Sequence, residues 1–177
     1  MNIENMFFIP LFHTKCFNWQ LKKNKLKNLC GKLNYDGYQY NDFSKHTTNL
    51  YINDIDCIFE EEIKNFKNIN NIQHHKIVDC WFEKFLTSNY HQIHNHGPLG
   101  YSAVCYIDYI KTEHKPLVFI SPFNNFLNHS VLFYSPEFVE EGTIIFFPST
   151  LNHYVDPNKS ENERLVVSFN LKLDRLG

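Results

Sequence analysis

The apolar residues of this chain change their spacing near residue 77, from the period of a helix to the short runs of strands. The clearest helical face before that point is formed by five apolar residues: Ile55, Ile58, Phe59, Ile63 and Phe66. This spacing predicts a helix capped by Asn53 or Asp54 and ending near residue 70. A second helix is predicted over about 17–30, a loop over 34–50, and an edge strand or extended arm over 6–12.

Seven short apolar runs follow, and each is bounded by residues typical of turns. They are Ile77–Leu86, Tyr90–His94, Tyr101–Ile110, Leu117–Ile120, Val131–Tyr134, Thr143–Phe147 and Leu165–Leu173. Such runs indicate a mainly β sandwich or barrel. We expect one domain over 1–177, with helical support at about 17–70 and a β core at about 77–173.

Composition and charge narrow the class of protein. The chain is 43% apolar and 16% aromatic, which is typical of a globular protein. Its formal charge is −2 with no basic patch, so nucleic acid is not favoured as a partner. The five cysteines are widely spaced and include no C-x-x-C, which favours a reducing compartment and predicts a cytoplasmic protein. The run Met6–Phe12 is too short for a signal peptide or a membrane span.

Candidate chemistry begins with two histidines at 94 and 96. If this stretch is a strand, residues i and i+2 project from the same face, and two imidazoles can occupy neighbouring positions on one metal ion. His91 is the main rival ligand. Because it lies three residues before His94, we expect it on the opposite face.

A second stretch supplies a third histidine and an arginine. The predicted strand Thr143–Phe147 delivers His153, which lies 59 residues after His94. Arg164 follows 11 residues later and starts the last strand, with Val166, Ser168 and Asn170 on the same face.

The two stretches together resemble the 2-oxoglutarate- and iron(II)-dependent oxygenases, and within them a subfamily common in marine bacteria and their phages. The resemblance covers about residues 77–171. It is carried by His94-Asn95-His96-Gly97-Pro98, Ser102-Ala103-Val104-Cys105-Tyr106, Phe147-Pro148-Ser149, His153, Arg164 and Phe169-Asn170.

The resemblance implies that His94, His96 and His153 bind iron(II). His96 stands where most of the superfamily has a carboxylate, so the site either uses three histidines or recruits another group. Asp108 and Asp156 are candidate partners for a ligand histidine.

The resemblance also implies that Arg164 pairs with the far carboxylate of 2-oxoglutarate, because guanidinium matches a carboxylate in bidentate geometry. Ser168, Tyr106 and Ser102 would complete that binding site, unless they are ordinary buried hydroxyls. The alternative for Arg164 is an ion pair with Glu161 or Glu163.

The fold and function that follow are those of a jelly roll (double-stranded β-helix, cupin-like) with N-terminal supporting helices. We expect an iron(II)- and 2-oxoglutarate-dependent dioxygenase that hydroxylates a small molecule or peptide while 2-oxoglutarate is converted to succinate. Two alternatives stay open: a cupin-like three-histidine dioxygenase that uses no 2-oxo acid, and a non-catalytic jelly-roll binding module. No sequence pattern selects a substrate or an oligomeric state.

Overall fold

The computed structural model describes residues 8–33, 46–47 and 51–174. Its helices are α1 (Trp19–Gly31), α2 (Ile52–Ile58) and α3 (Glu60–Ile69). Its strands are β1 (Phe12–Lys15), β2 (His46–Thr47), β3 (His74–Phe85), β4 (His91–His94), β5 (Tyr101–Asp108), β6 (Leu117–Asn124), β7 (Val131–Tyr134), β8 (Thr143–Pro148), β9 (His153–Val155) and β10 (Arg164–Asp174).

The strands form two antiparallel sheets. The larger has the order β1-β8-β5-β10-β3-β2 and the smaller the order β4-β9-β6-β7. All seven strands predicted after residue 74 are present, with ends shifted by a few residues. The mainly β architecture with N-terminal helices is therefore confirmed.

Side chains of β10 alternate between two apolar layers. Residues 165, 167, 169 and 171 belong to the layer that the three helices cover. Val166 belongs to the second layer, which contains residues of both sheets. Arg164, Val166 and Ser168 line one cavity on this inner side, so their predicted shared face is confirmed.

The single helix predicted from a cap at Asn53 or Asp54 to about residue 70 is instead two helices that meet at Phe59. The first begins at Ile52, and no side chain caps it, so the prediction of an Asn53 or Asp54 cap is wrong. Phe59 leaves helical geometry with φ −103° and ψ 16°. Its ring is fully buried and stacks on Phe169 at 5.5 Å between centroids. Packing of this ring on the sheet thus coincides with the break in the helix.

The remaining N-terminal predictions have mixed outcomes. The helix predicted over 17–30 is confirmed as α1. The edge strand begins at Phe12, later than the predicted 6–12, and the predicted loop at 34–50 lies largely outside the described residues. In the part of the chain that the structure describes, no helix combines the length and apolar character needed to cross a membrane.

The Phe59 contact gives a stability prediction. Phe59→Ala should lower the free energy of unfolding by about 3–5 kcal/mol, because it leaves a cavity between the helices and the sheet. Urea unfolding followed by circular dichroism measures this. Phe126→Ala is the matched control, since Phe126 is 88% exposed and its loss should cost less than about 0.5 kcal/mol. Equal effects of the two substitutions would contradict the assigned packing.

Candidate metal centre

Two histidine segments meet where β4 pairs with β9. His94 lies directly opposite His153 in this pairing. Their ring centroids are 4.2 Å apart, and the ring of His96 is 5.1 Å from each. The ligand atoms of the three side chains all lie within 4.8 Å of one another, so the group could hold one metal ion.

Backbone carbonyls orient two of the three rings. His94 Nδ1 lies 2.8 Å from Gln92 O, and His153 Nδ1 lies 2.8 Å from Leu151 O. A carbonyl only accepts hydrogen bonds, so each Nδ1 carries the proton and each Nε2 keeps a lone pair for a metal. Burial, aided by the nearby His94, lowers the pKa of His153 to about 4. His153 is therefore neutral, as a ligand must be, at pH 7.

A turn, and not the predicted strand, places His96. Strand β4 ends at His94. The His96 N–H donates to Ser149 O at 2.8 Å, and the Ser149 N–H donates to Gly100 O at 3.0 Å. Asn95 donates from its amide to Asn152 Oδ1 at 2.7 Å. These bonds join the turn to the segment before His153 and hold the third imidazole at the cluster.

The prediction that His91 faces away from His94 is wrong. The pairing of β4 with β9 shifts register between these two residues. The His91 ring consequently stacks on the His94 ring, with centroids 3.7 Å apart and planes at 10°. His91 lies outside the group of three, and its Nδ1 is 3.2 Å from Glu83 Oε1.

Glu83 is the site residue that sequence reasoning missed. Its side chain is buried, lines the same cavity as the histidines and accepts a hydrogen bond from Trp81 Nε1 at 3.1 Å. Burial alone would raise the pKa of Glu83, but its contact with His91 outweighs that effect and holds the pKa below its ordinary value. The sequence did contain a sign of this residue: Glu83 is an acidic residue among the buried apolar residues of β3.

Arg164 is a buried cation, and the alternative predicted for it, an ion pair with Glu161 or Glu163, is not formed. It is 3% exposed, its guanidinium carbon lies 3.9 Å from the centre of the Phe85 ring, and Nη1 donates to Lys115 O. Glu163 pairs with Lys84, which excludes that residue as the partner. Within the described residues no carboxylate lies within ion-pair distance of Arg164, and its Nε is buried without a hydrogen-bond acceptor.

The three predicted hydroxyl residues line the same cavity as the histidines. Tyr106 accepts a hydrogen bond from the Leu117 N–H at 3.1 Å, and burial raises its pKa. Ser102 donates to Asn170 Oδ1 at 2.7 Å. Ser168 is buried on the same strand as Arg164. The fold thus gathers all predicted site residues at one cavity, and their individual roles stay predictions.

The two aspartates predicted as second partners of the ligands are not at the site. Asp108 pairs with Lys23 and Lys27, each at 3.0 Å, near helix α1. Asp156 follows β9 and is not among the residues that line the cavity of the three histidines. Backbone carbonyls perform the orienting role that these carboxylates were expected to have.

Comparison with known families decides the class of protein. The sequence model of the family described as "Putative 2OG-Fe(II) oxygenase" matches residues 79–170, just over half of the chain. The chain belongs to this family. Iron(II) and 2-oxoglutarate are the cofactor and co-substrate that the family uses, and the three histidines could hold the iron. No curated protein matches this oxygenase.

Solved structures confirm the jelly-roll fold. A 2OG-Fe(II) oxygenase family oxidoreductase from Burkholderia pseudomallei has a TM-score of 0.69 at 11% identity, covering 92% of this chain and 84% of its own. The viral collagen prolyl hydroxylase of Paramecium Bursaria Chlorella virus-1, solved with 2-oxoglutarate, has a TM-score of 0.63 at 14% identity. The match covers 91% of this chain and 94% of the viral enzyme. HygX from Streptomyces hygroscopicus, solved with nickel and 2-oxoglutarate, has a TM-score of 0.67 at 9% identity. The match covers 92% of this chain and 82% of HygX.

The geometry predicts which histidines a metal needs. His153→Ala should abolish stoichiometric binding of manganese(II), because it removes one of three converging imidazole nitrogens. His91→Ala should retain one ion per chain, since His91 stacks on a member of the group but supplies none of its ligand atoms. Isothermal titration calorimetry of the apoprotein measures both. Loss of the ion in His91→Ala with retention in His153→Ala would reverse the ligand assignment.

Proposed function

We propose that this oxygenase hydroxylates a C–H bond of a small molecule or peptide, with iron(II) held by His94, His96 and His153. In the same proposal Arg164 binds the C5 carboxylate of 2-oxoglutarate. Ser168, Tyr106 and Ser102 provide polar contacts along the cavity between these two ends. A cytoplasmic location is part of the proposal and is supported by five cysteines that form no disulfide, four of them buried.

The buried, unpaired guanidinium of Arg164 is the observation that carries this proposal. Glu83 attracts Arg164 through space, but no carboxylate of the described residues contacts the guanidinium. A buried cation without such a contact is unfavourable, and a ligand of opposite charge would supply it. Its Nε lacks an acceptor, and Nε with a neighbouring Nη forms the fork that a carboxylate fits. The required ligand carries a carboxylate at one end and reaches the three histidines with the other, as 2-oxoglutarate does.

Iron bound by three histidines would supply dioxygen activation, since three cis positions remain for a chelating 2-oxo acid and dioxygen. The residues of this chain contribute binding and orientation. His94 and His96 are half-buried, whereas His153 is buried, so the cluster has one side through which a substrate can enter. In this proposal a peptide or small molecule enters from that side; HygX, a similar structure, is solved with hygromycin B bound.

A histidine at 96 favours one second candidate, a three-histidine dioxygenase that uses no 2-oxo acid. Three neutral imidazoles leave the full charge of a divalent ion, which can bind another anionic substrate directly. In that case Arg164 would hold a carboxylate of the substrate. Binding of 2-oxoglutarate separates the two candidates.

Arg164 substitutions test the proposed co-substrate site. Arg164→Ala should weaken 2-oxoglutarate binding by about 3–5 kcal/mol, because a buried pair loses one partner. Arg164→Lys should also weaken it, since lysine keeps the charge but not the bidentate geometry. The measurement is a titration of the iron(II) protein without oxygen, followed by the metal-to-ligand charge-transfer absorption.

The matched control is Lys84→Ala, which removes a cation of the neighbouring strand outside the cavity. It should leave 2-oxoglutarate affinity unchanged. An unchanged affinity in Arg164→Ala would remove Arg164 from the site. Absence of the absorption band in the unsubstituted protein would favour the three-histidine candidate.

A further inference from the structure

A buried carboxylate lies beside the candidate metal centre, and the proposed function assigns it no role. Glu83 is 7% exposed and projects from β3 into the cavity that the three histidines and Arg164 line. In the larger sheet it lies directly opposite Val166, the residue between Arg164 and Ser168 on the inner face of β10.

Glu83 reaches the histidine cluster through a continuous set of contacts. Its Oε1 accepts a hydrogen bond from Trp81 and lies 3.2 Å from His91 Nδ1. The His91 ring in turn stacks on His94 at 3.7 Å between centroids. These contacts also fix Glu83 at a position outside the group of three ligand side chains.

The charges at the site explain why a carboxylate here matters. The common iron(II) ligand set of two histidines and one carboxylate contributes one negative charge. The divalent ion and the Arg164 cation carry three positive charges. The 2-oxoglutarate dianion and the carboxylate ligand carry three negative charges, so the bound site with the common ligand set is neutral. Three histidines contribute no charge, so the same complex would hold one uncompensated positive charge in a buried site, which is unfavourable. Glu83 carries the one negative charge that restores neutrality.

We infer that Glu83 is a positioning residue that replaces, from beside the ligands, the negative charge of the carboxylate ligand that His96 displaces. This inference rests on the proposed function, because the charge count includes the metal ion and 2-oxoglutarate. Glu83 acts on the ion through space and through His91 and His94, and it forms no bond to the metal.

The first test removes the charge with little change in shape. Glu83→Gln should bind manganese(II) or iron(II) at least about tenfold more weakly, the usual effect of losing a partner next to a metal ligand. Affinity is measured without 2-oxoglutarate or oxygen, by competition with a chelator. Glu62→Gln is the matched control. Glu62 is an equally buried carboxylate that pairs with Lys22 on the helical side, so metal affinity should not change.

The second test moves the charge from Glu83 to the ligand position. Glu83→Gln combined with His96→Asp has one carboxylate at the centre, so its metal affinity should return to within about threefold of the unsubstituted protein, in a double-substitution cycle. His96→Asp alone has two carboxylates and a net negative site. It should therefore bind the 2-oxoglutarate dianion at least about tenfold more weakly than the unsubstituted protein. A residue with a purely structural role would produce neither effect.

Three results would overturn the inference. They are an unchanged metal affinity in Glu83→Gln, no recovery in the double variant, and unchanged or tighter 2-oxoglutarate binding in His96→Asp. The last measurement decides the matter even if Glu83→Gln fails to fold. Failure of the proposed function is seen separately, because the unsubstituted protein would then bind metal without forming any 2-oxoglutarate complex.

Discussion

The pairing of β4 with β9 is the contact on which the rest of the site depends. It places His94 opposite His153 across one pair of strands, and the carbonyls of Gln92 and Leu151 set the orientation of both rings. The register shift in the same pairing turns His91 toward His94. A regular register would have directed His91 to the outer face and removed its contact with Glu83. One irregularity in a short strand therefore determines which groups surround the metal centre.

Strand β10 supplies the other constraint, because it separates the two apolar layers. The outward residues of β10 pack against the helices, and one of these residues, Phe169, contacts the ring of Phe59. The inward residues of β10 include Arg164 and Ser168, which line the cavity of the three histidines. Since the strand is held between β3 and β5, these polar side chains are fixed by the packing of the whole sheet. Such rigid support is what a binding site for a small dianion requires.

Much of the fold and of the site could be predicted from the sequence. Short apolar runs between turn residues predicted the strands of the β core, and the spacing of Arg164, Val166 and Ser168 predicted their shared face. The spacing of apolar residues could not locate β9, because this strand has only three residues and is stabilised by pairing with two neighbouring strands. It also could not reveal the β4 register shift, since the residues of a bulge carry no distinct apolar pattern.

The partners of charged residues were the least predictable part. Asp108 was expected near the ligands because it follows them in sequence, but it faces two lysines of α1 that the helix brings to it. Glu83 lies before both histidine stretches and joins the site only through the pairing of β3 with β10. Contacts between residues far apart in sequence depend on the sheet order, which local patterns do not specify.

The account is tested most directly by a crystal structure of the protein with manganese(II) and 2-oxoglutarate. We expect the ion at about 2 Å from Nε2 of His94, His96 and His153, with the C5 carboxylate on the Arg164 guanidinium. Glu83 should still accept its hydrogen bonds from Trp81 and His91. A manganese ion bonded to Glu83 or His91, or a 2-oxoglutarate carboxylate that does not contact Arg164, would contradict the account.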